Sequence, residues 1–282
     1  MLGIWFISMT NPRSFRINVH AEGNGDFSQS INFMVSQTPW NISALIPEDL
    51  KNDFLLSDQD LPEELNRITD HATDQIFQQA FPEAKAIVFP VSRLVVDPER
   101  FSDDSQEPMS RVGMGVTYTK GSLRQPLREQ LTKAKHQELL ERYYIPHHQK
   151  LTEAVEESLF ANDHCLIIDG HSFPPLPLPY ELNQTAFRPD FCLGTDDFHT
   201  PNELVARVEK ILESCGYSTA RNQPFGGTIV PMKHYRKDHR VQSLMIEINR
   251  WLYLREDYSV DSERTKLLVS VLRRVAEGLK DN

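Results

Sequence analysis

Cysteine is scarce: Cys165, Cys192 and Cys215 are the only three in the chain, and none forms a C-x-x-C pair. An odd, dispersed set supports neither a disulfide framework nor a thiolate zinc site, and it suits a reducing cytosol. Positive charge is also short. The 30 Lys and Arg face 40 Asp and Glu, a formal net charge of −10, which speaks against a protein that grips nucleic acid by neutralising phosphates. No apolar run approaches the roughly 20 residues that span a bilayer. The opening MLGIWFISM is apolar but short, lacks a positive flank, and runs into Asn11, Pro12 and Arg13 instead of a small-residue cleavage site. These absences point to a cytoplasmic protein with no membrane anchor.

Apolar residues make up 39% and charged residues 25% of the 282 positions, the usage of an ordinary globular chain that can bury a sizeable core. Neither an internal repeat nor a separating linker is visible, so residues 1–282 read as one domain, with 1–30 either two weakly alternating strands about the Gly23-Asn24-Gly25 turn or an irregular N-terminal arm. A short strand is expected at Ile31–Val35, stopped by Pro39. Residues 62–80 read as one helix, with Pro62 in its first turn and Leu65, Ile68, Ala72, Ile76 and Phe77 at helical spacing. A buried strand follows at Ala86–Val91, continued by Leu94–Val96, and then a polar, Gly-punctuated surface excursion over 102–124. A second helical block spans 125–144, breaks at Pro146 and resumes from His148 to Phe160. Cys165–Ile168 is a strand ending in Asp169-Gly170-His171-Ser172, Asn202–Ser214 a helix closed by Gly216, Met245–Ile248 a core strand, and 262–280 an amphipathic helix. Strands alternating with helices indicate an α/β fold.

Several residues could carry chemistry. A histidine at a strand end, His171, can offer one ring nitrogen to a metal while a neighbouring carboxylate holds the other; a hydrogen-bonded turn histidine is the simpler use. Glu247 interrupts an apolar strand, so it is either paired, with Arg250 or Arg93, or stands as a general base. Asp70 and Asp74 lie one helical turn apart and share a face that could hold a cation or face solvent. Arg93 could clamp a carboxylate bidentately. The pair Gly226-Gly227, in a loop opened by Asn222, allows close backbone approach to a ligand or makes a plain turn, and His147 and His148 suit structural roles.

Eight segments, taken in order, resemble the N-formylglutamate amidohydrolase family: ITDHATDQIF (68–77), FPVSRLVVDPERF (89–101), GMGVTYT (113–119), YYIPHHQKL (143–151), LIIDGHSFP (166–174), PDFCLG (189–194), NQPFGG (222–227) and MIEINRWLYL (245–254). The resemblance implies a zinc-exopeptidase-like α/β fold with a mixed sheet flanked by helices, and hydrolysis of a small N-acyl amino acid such as N-formylglutamate, to formate and glutamate. It implies zinc as cofactor, with His171 a ligand, Asp70 the carboxylate ligand and Asp74 its substitute, and Glu247 the general base. Arg93, Asn222 and Arg250 would orient the substrate or brace the site.

One departure stands out. The family carries a Pro-His-Ser-Gly-like motif whose histidine binds zinc, whereas the corresponding Thr38-Pro39-Trp40-Asn41-Ile42-Ser43 has no histidine. The ligand position falls on Trp40, which has no acceptor, or Asn41, whose carbonyl oxygen suits harder cations. His71, or Asp70 and Asp74 together, could complete the ligand set, but on a helix His71 points elsewhere if Asp70 and Asp74 face the site. Two expectations follow: a metal-dependent amidohydrolase, or a non-catalytic relative that binds a ligand or partner through a degraded site.

Overall fold

The computed structural model describes residues 4–7 and 45–280. The arm's turn, the strand expected at Ile31–Val35 and positions Trp40 and Asn41 lie outside these residues. Six strands form one mixed sheet: β1 (Ile4–Ile7), β2 (Lys85–Val88), β3 (Cys165–Phe173), β4 (Phe191–Gly194), β5 (Thr219–Arg221) and β6 (Val241–Asn249), in the order β2-β1-β3-β6-β4-β5. β1 runs antiparallel to both neighbours, β3 and β6 are parallel, β4 is antiparallel to β6, and β5 is parallel to β4. The helices are α1 (Asp60–Ile68), α2 (Thr73–Ala80), α3 (Lys133–Leu139), α4 (Ile145–Asn162), α5 (Asn202–Ser214) and α6 (Ser262–Gly278). The described chain is thus the mixed, helix-flanked α/β sheet expected.

β3 and β6 lie at the centre and are covered on both faces, which is why they read as near-continuous apolar runs. Ile168 of β3 and Leu244, Ile246 and Ile248 of β6 pack with α2, α5 and α6. Cys165 and Ile167, on the other face, pack with Leu151, Ala154 and Val155 of α4. Because side chains alternate along a strand, Asp169 and His171 share the α4 side with Ile167, and Met245 and Glu247 lie beside them in register. A third cluster, built on Leu94, Val96, Val116 and Tyr118, joins the 89–127 chain to α3.

Four local expectations are corrected. The helix expected over 62–80 is two helices, because Ala72 adopts a left-handed φ of 55° and the chain turns at Thr69–Ala72. The strand expected to Val91 and beyond stops at Val88; Pro90 has no N–H for a ladder, and Val91–Val96 coil into buried turns in which Ser92 O accepts from Val95 N at 2.9 Å. Residues 125–132 are not helical, and Pro146 does not break the second block. A π-turn at Leu140–Tyr144 precedes it, and Pro146 sits in the first turn of α4, where a missing N–H costs little. The 102–124 excursion is not wholly at the surface; Met114, Val116 and Tyr118 are core, and Ser122 is buried against Glu64 of α1.

Candidate active site

β3 runs on through Asp169-Gly170-His171-Ser172 to Phe173. The polar residues therefore stand inside a central strand and not in the turn after it. Extending the strand places Asp169 and His171 two residues apart on one face, and Asp169 Oδ1 lies 2.8 Å from His171 Nε2. The other ring nitrogen, Nδ1, is 3.5 Å from Asp70 Oδ2. Asp70 occupies the break between α1 and α2, buried, and its Oδ1 accepts from Ser172 N at 2.8 Å and Ser172 Oγ at 2.7 Å. The imidazole is thus held between two carboxylates. Burial opposes its charge, but Asp169, Asp70 and Glu99 together raise its pKa well above the ordinary histidine value.

Glu247 pairs in register with His171 and is fully buried. Neither of its oxygens has a hydrogen-bond partner. The expected structural partners are engaged elsewhere: Arg93 Nη2 lies 3.1 Å from Asp97 Oδ2, while Arg250 donates through Nη1 to Arg67 O at 2.6 Å and through Nε to Ser172 Oγ at 3.1 Å. Burial pushes the Glu247 pKa up to about 8, with His171 opposing and Asp70 reinforcing the shift.

A cavity of about 460 Å³ ends on Asp169, His171 and Glu99. Glu99 Oε2 stands 3.9 Å from His171 Nε2, and desolvation with repulsion from Asp169 lifts its pKa to about 8. One ligand atom from each of Glu99, Asp169 and His171 falls within 4.8 Å of the others, a group that could hold a metal ion. Arg93, Arg100, Gly226 and Gly227 also line this cavity. The cluster around Asp97 was not anticipated: it accepts from Tyr118 Oη, pairs with Arg93 and lies 3.4 Å from Arg100 Nε. The spacing Arg93, Asp97, Arg100 in SRLVVDPER was the available signal.

The sequence-named residues separate into three groups. His171, Asp70 and Glu247 come together, and Arg93 reaches the cavity. Arg250 braces the buried side of β3 through Ser172 and lies 3.7 Å from Asp70, so it supports the site from behind. Asp74 sits in the first turn of α2 and Asn222 on the surface; among the described residues neither contacts His171. The 69–72 turn explains Asp74, since Asp70 is outside the helix and shares no face with it. Asn222 instead ties its loop to Thr195, accepting from its N at 2.9 Å and donating to its Oγ1 at 2.8 Å. His71 lies 2.9 Å from Asn66 O and stacks on Tyr258, away from His171's ring. His147 is buried and His148 half-buried at the start of α4, where His148 Nε2 lies 3.0 Å from Pro98 O.

The model of the N-formylglutamate amidohydrolase family matches residues 41–254, which include every sequence-named site residue. The chain belongs to the N-formylglutamate amidohydrolase family. Its fold is that of the N-formylglutamate amidohydrolase of Ralstonia eutropha, which is 24% identical, with 97% of each chain covered and a TM-score of 0.68. A gene product of Agrobacterium tumefaciens is similar at 18% identity and a TM-score of 0.62, over 85% of this chain and 88% of that one. No curated protein sequence matches the chain significantly. In this amidohydrolase-family chain the match spans both the His171 cluster and the Arg93–Asp97–Arg100 cluster. Among the described residues no helix is long and apolar enough to cross a membrane.

Proposed function

We propose that this chain hydrolyses the amide of a small N-acyl amino acid of the N-formylglutamate type, using a divalent metal ion, zinc by preference, held at His171. The observation that carries the reading is the buried imidazole between two carboxylates, with the unpartnered Glu247 carboxylate beside it and a cavity ending on it.

The donor set suits zinc. Zinc ligands sit about 2.0–2.2 Å from the ion, so two of them in a tetrahedral shell lie roughly 3.3–3.5 Å apart. The Nδ1–Oδ2 separation of His171 and Asp70 is 3.5 Å, and Nδ1 has no hydrogen-bond partner. Nε2, by contrast, is in a 2.8 Å hydrogen bond with Asp169, the arrangement by which an outer carboxylate fixes a ligand histidine's tautomer. His171 Nδ1 and Asp70 are therefore assigned as ligands and Asp169 as the group that orients the ring. Bound there, the ion would supply Lewis acidity toward the scissile carbonyl. Glu247 takes the proton: its oxygens are free of other partners, and a raised pKa suits an acceptor working near neutrality. Arg93, held by Asp97, positions the substrate carboxylate.

A second reading places the ion on the Nε2 side, with Glu99 and Asp169, because that set opens into the cavity. Elemental analysis of the full chain, purified without chelator, separates the two. About one zinc per chain is expected, lost in His171→Ala and Asp70→Asn and kept in Glu99→Gln. Loss in Glu99→Gln with retention in Asp70→Asn would move the ion to the cavity side. A metal-free wild type that hydrolyses no N-formyl amino acid would replace the enzyme by a binding protein, the outcome that the missing histidine at Trp40-Asn41 would then explain.

A further inference from the structure

Three tyrosines line the cavity that ends on His171, and they differ in how their hydroxyls are engaged. Tyr144 donates to Arg100 O at 2.9 Å, and Tyr235 interacts with Arg236. Tyr180 is only 7% exposed, yet among the described residues its hydroxyl enters no hydrogen bond. The loop that carries it fixes its place. Tyr180 N donates to Ser122 O at 3.3 Å, and Ser122 is tied to Glu64. On the other side Glu181 Oε1 accepts from Leu178 N at 2.9 Å, while Oε2 pairs with Arg188. A packed ring with an unpaired hydroxyl costs free energy that a ligand oxygen would recover.

The surroundings of that hydroxyl say which oxygen it suits. Arg93 and Arg100 line the cavity with it and act on it electrostatically, as do Glu181 and Arg250. Glu181 is offset by Arg188, and Arg250 is turned to Ser172 and Arg67 O. Asp97 anchors both Arg93 and Arg100, but the buried Nε of each has no hydrogen-bond partner. Burial pushes the Tyr180 pKa up to about 12, so the phenol keeps its proton near neutrality and has an O–H to give. Two guanidinium N–H groups and one phenol O–H thus remain unspent around one cavity. An acceptor with two oxygens and a negative charge matches such donors, because hydrogen bonds to a charged group are shorter and stronger than neutral ones.

We infer that Tyr180 is a specificity-determining residue whose hydroxyl donates to the substrate carboxylate held at Arg93. The inference rests on the proposed placement of a substrate carboxylate at Arg93, and it holds whether or not the amide is cleaved. A carboxylate remote from the scissile bond carries the same charge in the bound substrate and in the transition state. The Tyr180 contact therefore strengthens binding of both alike, and its loss falls on KM and not on kcat.

The test is Tyr180→Phe in the full chain, which removes one oxygen and keeps the packed ring. With N-formylglutamate, KM should rise at least about tenfold, the effect of losing one hydrogen bond to a charged group, while kcat stays within about twofold. Glutarate, a dicarboxylate with no amide to cleave, gives a readout that needs no turnover, and its affinity by calorimetry should fall by the same factor. Unchanged KM and glutarate affinity in Tyr180→Phe overturn the inference. So does a fall in kcat with KM unchanged, which would put the hydroxyl on the reacting atoms, and so does a wild type that binds neither compound. Weaker glutarate binding by Tyr180→Phe, in a protein whose wild type hydrolyses no N-formyl amino acid, would keep the role of Tyr180 and remove the amidohydrolase reading instead.

Discussion

Replacing Asp169 by Asn tests the core of the site without changing its shape. Asp169 uses both oxygens: Oδ1 meets His171 Nε2 at 2.8 Å, and Oδ2 accepts from Ile229 N at 3.3 Å. Asn has one acceptor and one NH2 group, so while His171 keeps its proton on Nε2 a donor faces a donor in either orientation. One partner, the imidazole N–H or the Ile229 amide, is left unsatisfied, which costs about 1–3 kcal/mol in a buried place. The charge-assisted part of the His171 contact is lost as well, and such hydrogen bonds contribute about 1.5–3 kcal/mol. Because the amide oxygen recovers one contact, the two costs do not add in full, and about 3 kcal/mol of destabilisation is expected. Urea unfolding of the metal-free protein, followed by circular dichroism, measures it. At about 2–4 °C per kcal/mol for a chain of this size class, the melting temperature should fall by roughly 6–12 °C. Asp163→Asn serves as the control, since Asp163 meets Arg240 on the surface and its loss should leave the midpoint unchanged. A change below about 0.5 kcal/mol in Asp169→Asn would refute the claim that this carboxylate holds His171.

Other outcomes follow from the same geometry. A Cβ on Gly170 would lie 2.7 Å from Phe77 Cδ2, in a ring with no exposed surface, so Gly170→Ala should cost about 1–3 kcal/mol in urea unfolding, and less in a Phe77→Leu background. Glu64 accepts from Ser122 N, Ser122 Oγ and Gln125 Nε2; Glu64→Ala should cost about 3 kcal/mol and make limited proteolysis cut near residue 122 first. Burial lowers the His148 pKa from the ordinary 6.5 to about 4. The unfolded chain therefore takes up the proton first, so stability is full above pH 6.5 and declines as pH falls toward 4, by at most about 3 kcal/mol from this group. His148→Gln keeps an N–H donor for Pro98 O and should flatten that slope in unfolding curves taken between pH 4 and 7. Asp74→Ala, at a position remote from His171, should leave the metal content of the purified protein unchanged.

The central strands were legible in the sequence because burial on both faces demands apolar runs, and LIID and MIEI show that demand directly. His171 and Glu247 stood out for the same reason: each puts a polar group where the pattern calls for an apolar one. Strands of three or four residues carry too short a signature, and the interior β4 and the edge strand β5 emerge only from their pairing with β6 and with each other. The turn at Thr69–Ala72 was hidden as well. Apolar spacing continues across it, and a left-handed alanine is a conformation that tertiary contacts impose, not one that composition announces.

The central strands, the α/β class and the family therefore lie in local patterns along the chain. Which carboxylates meet the imidazole does not. Asp70 and Ser172 are 102 residues apart, and they join because a loop between two helices packs against the end of a central strand. Arg250, three positions from Glu247 in sequence, was one of its two candidate partners. It turns instead to Ser172 and Arg67, because successive groups on a strand and the 3-10 turn after it diverge to opposite sides of the sheet. Residue types and their spacing determined that this chain carries a histidine–carboxylate site. Only the packing of loop, strand and helix decided which carboxylates face which nitrogen.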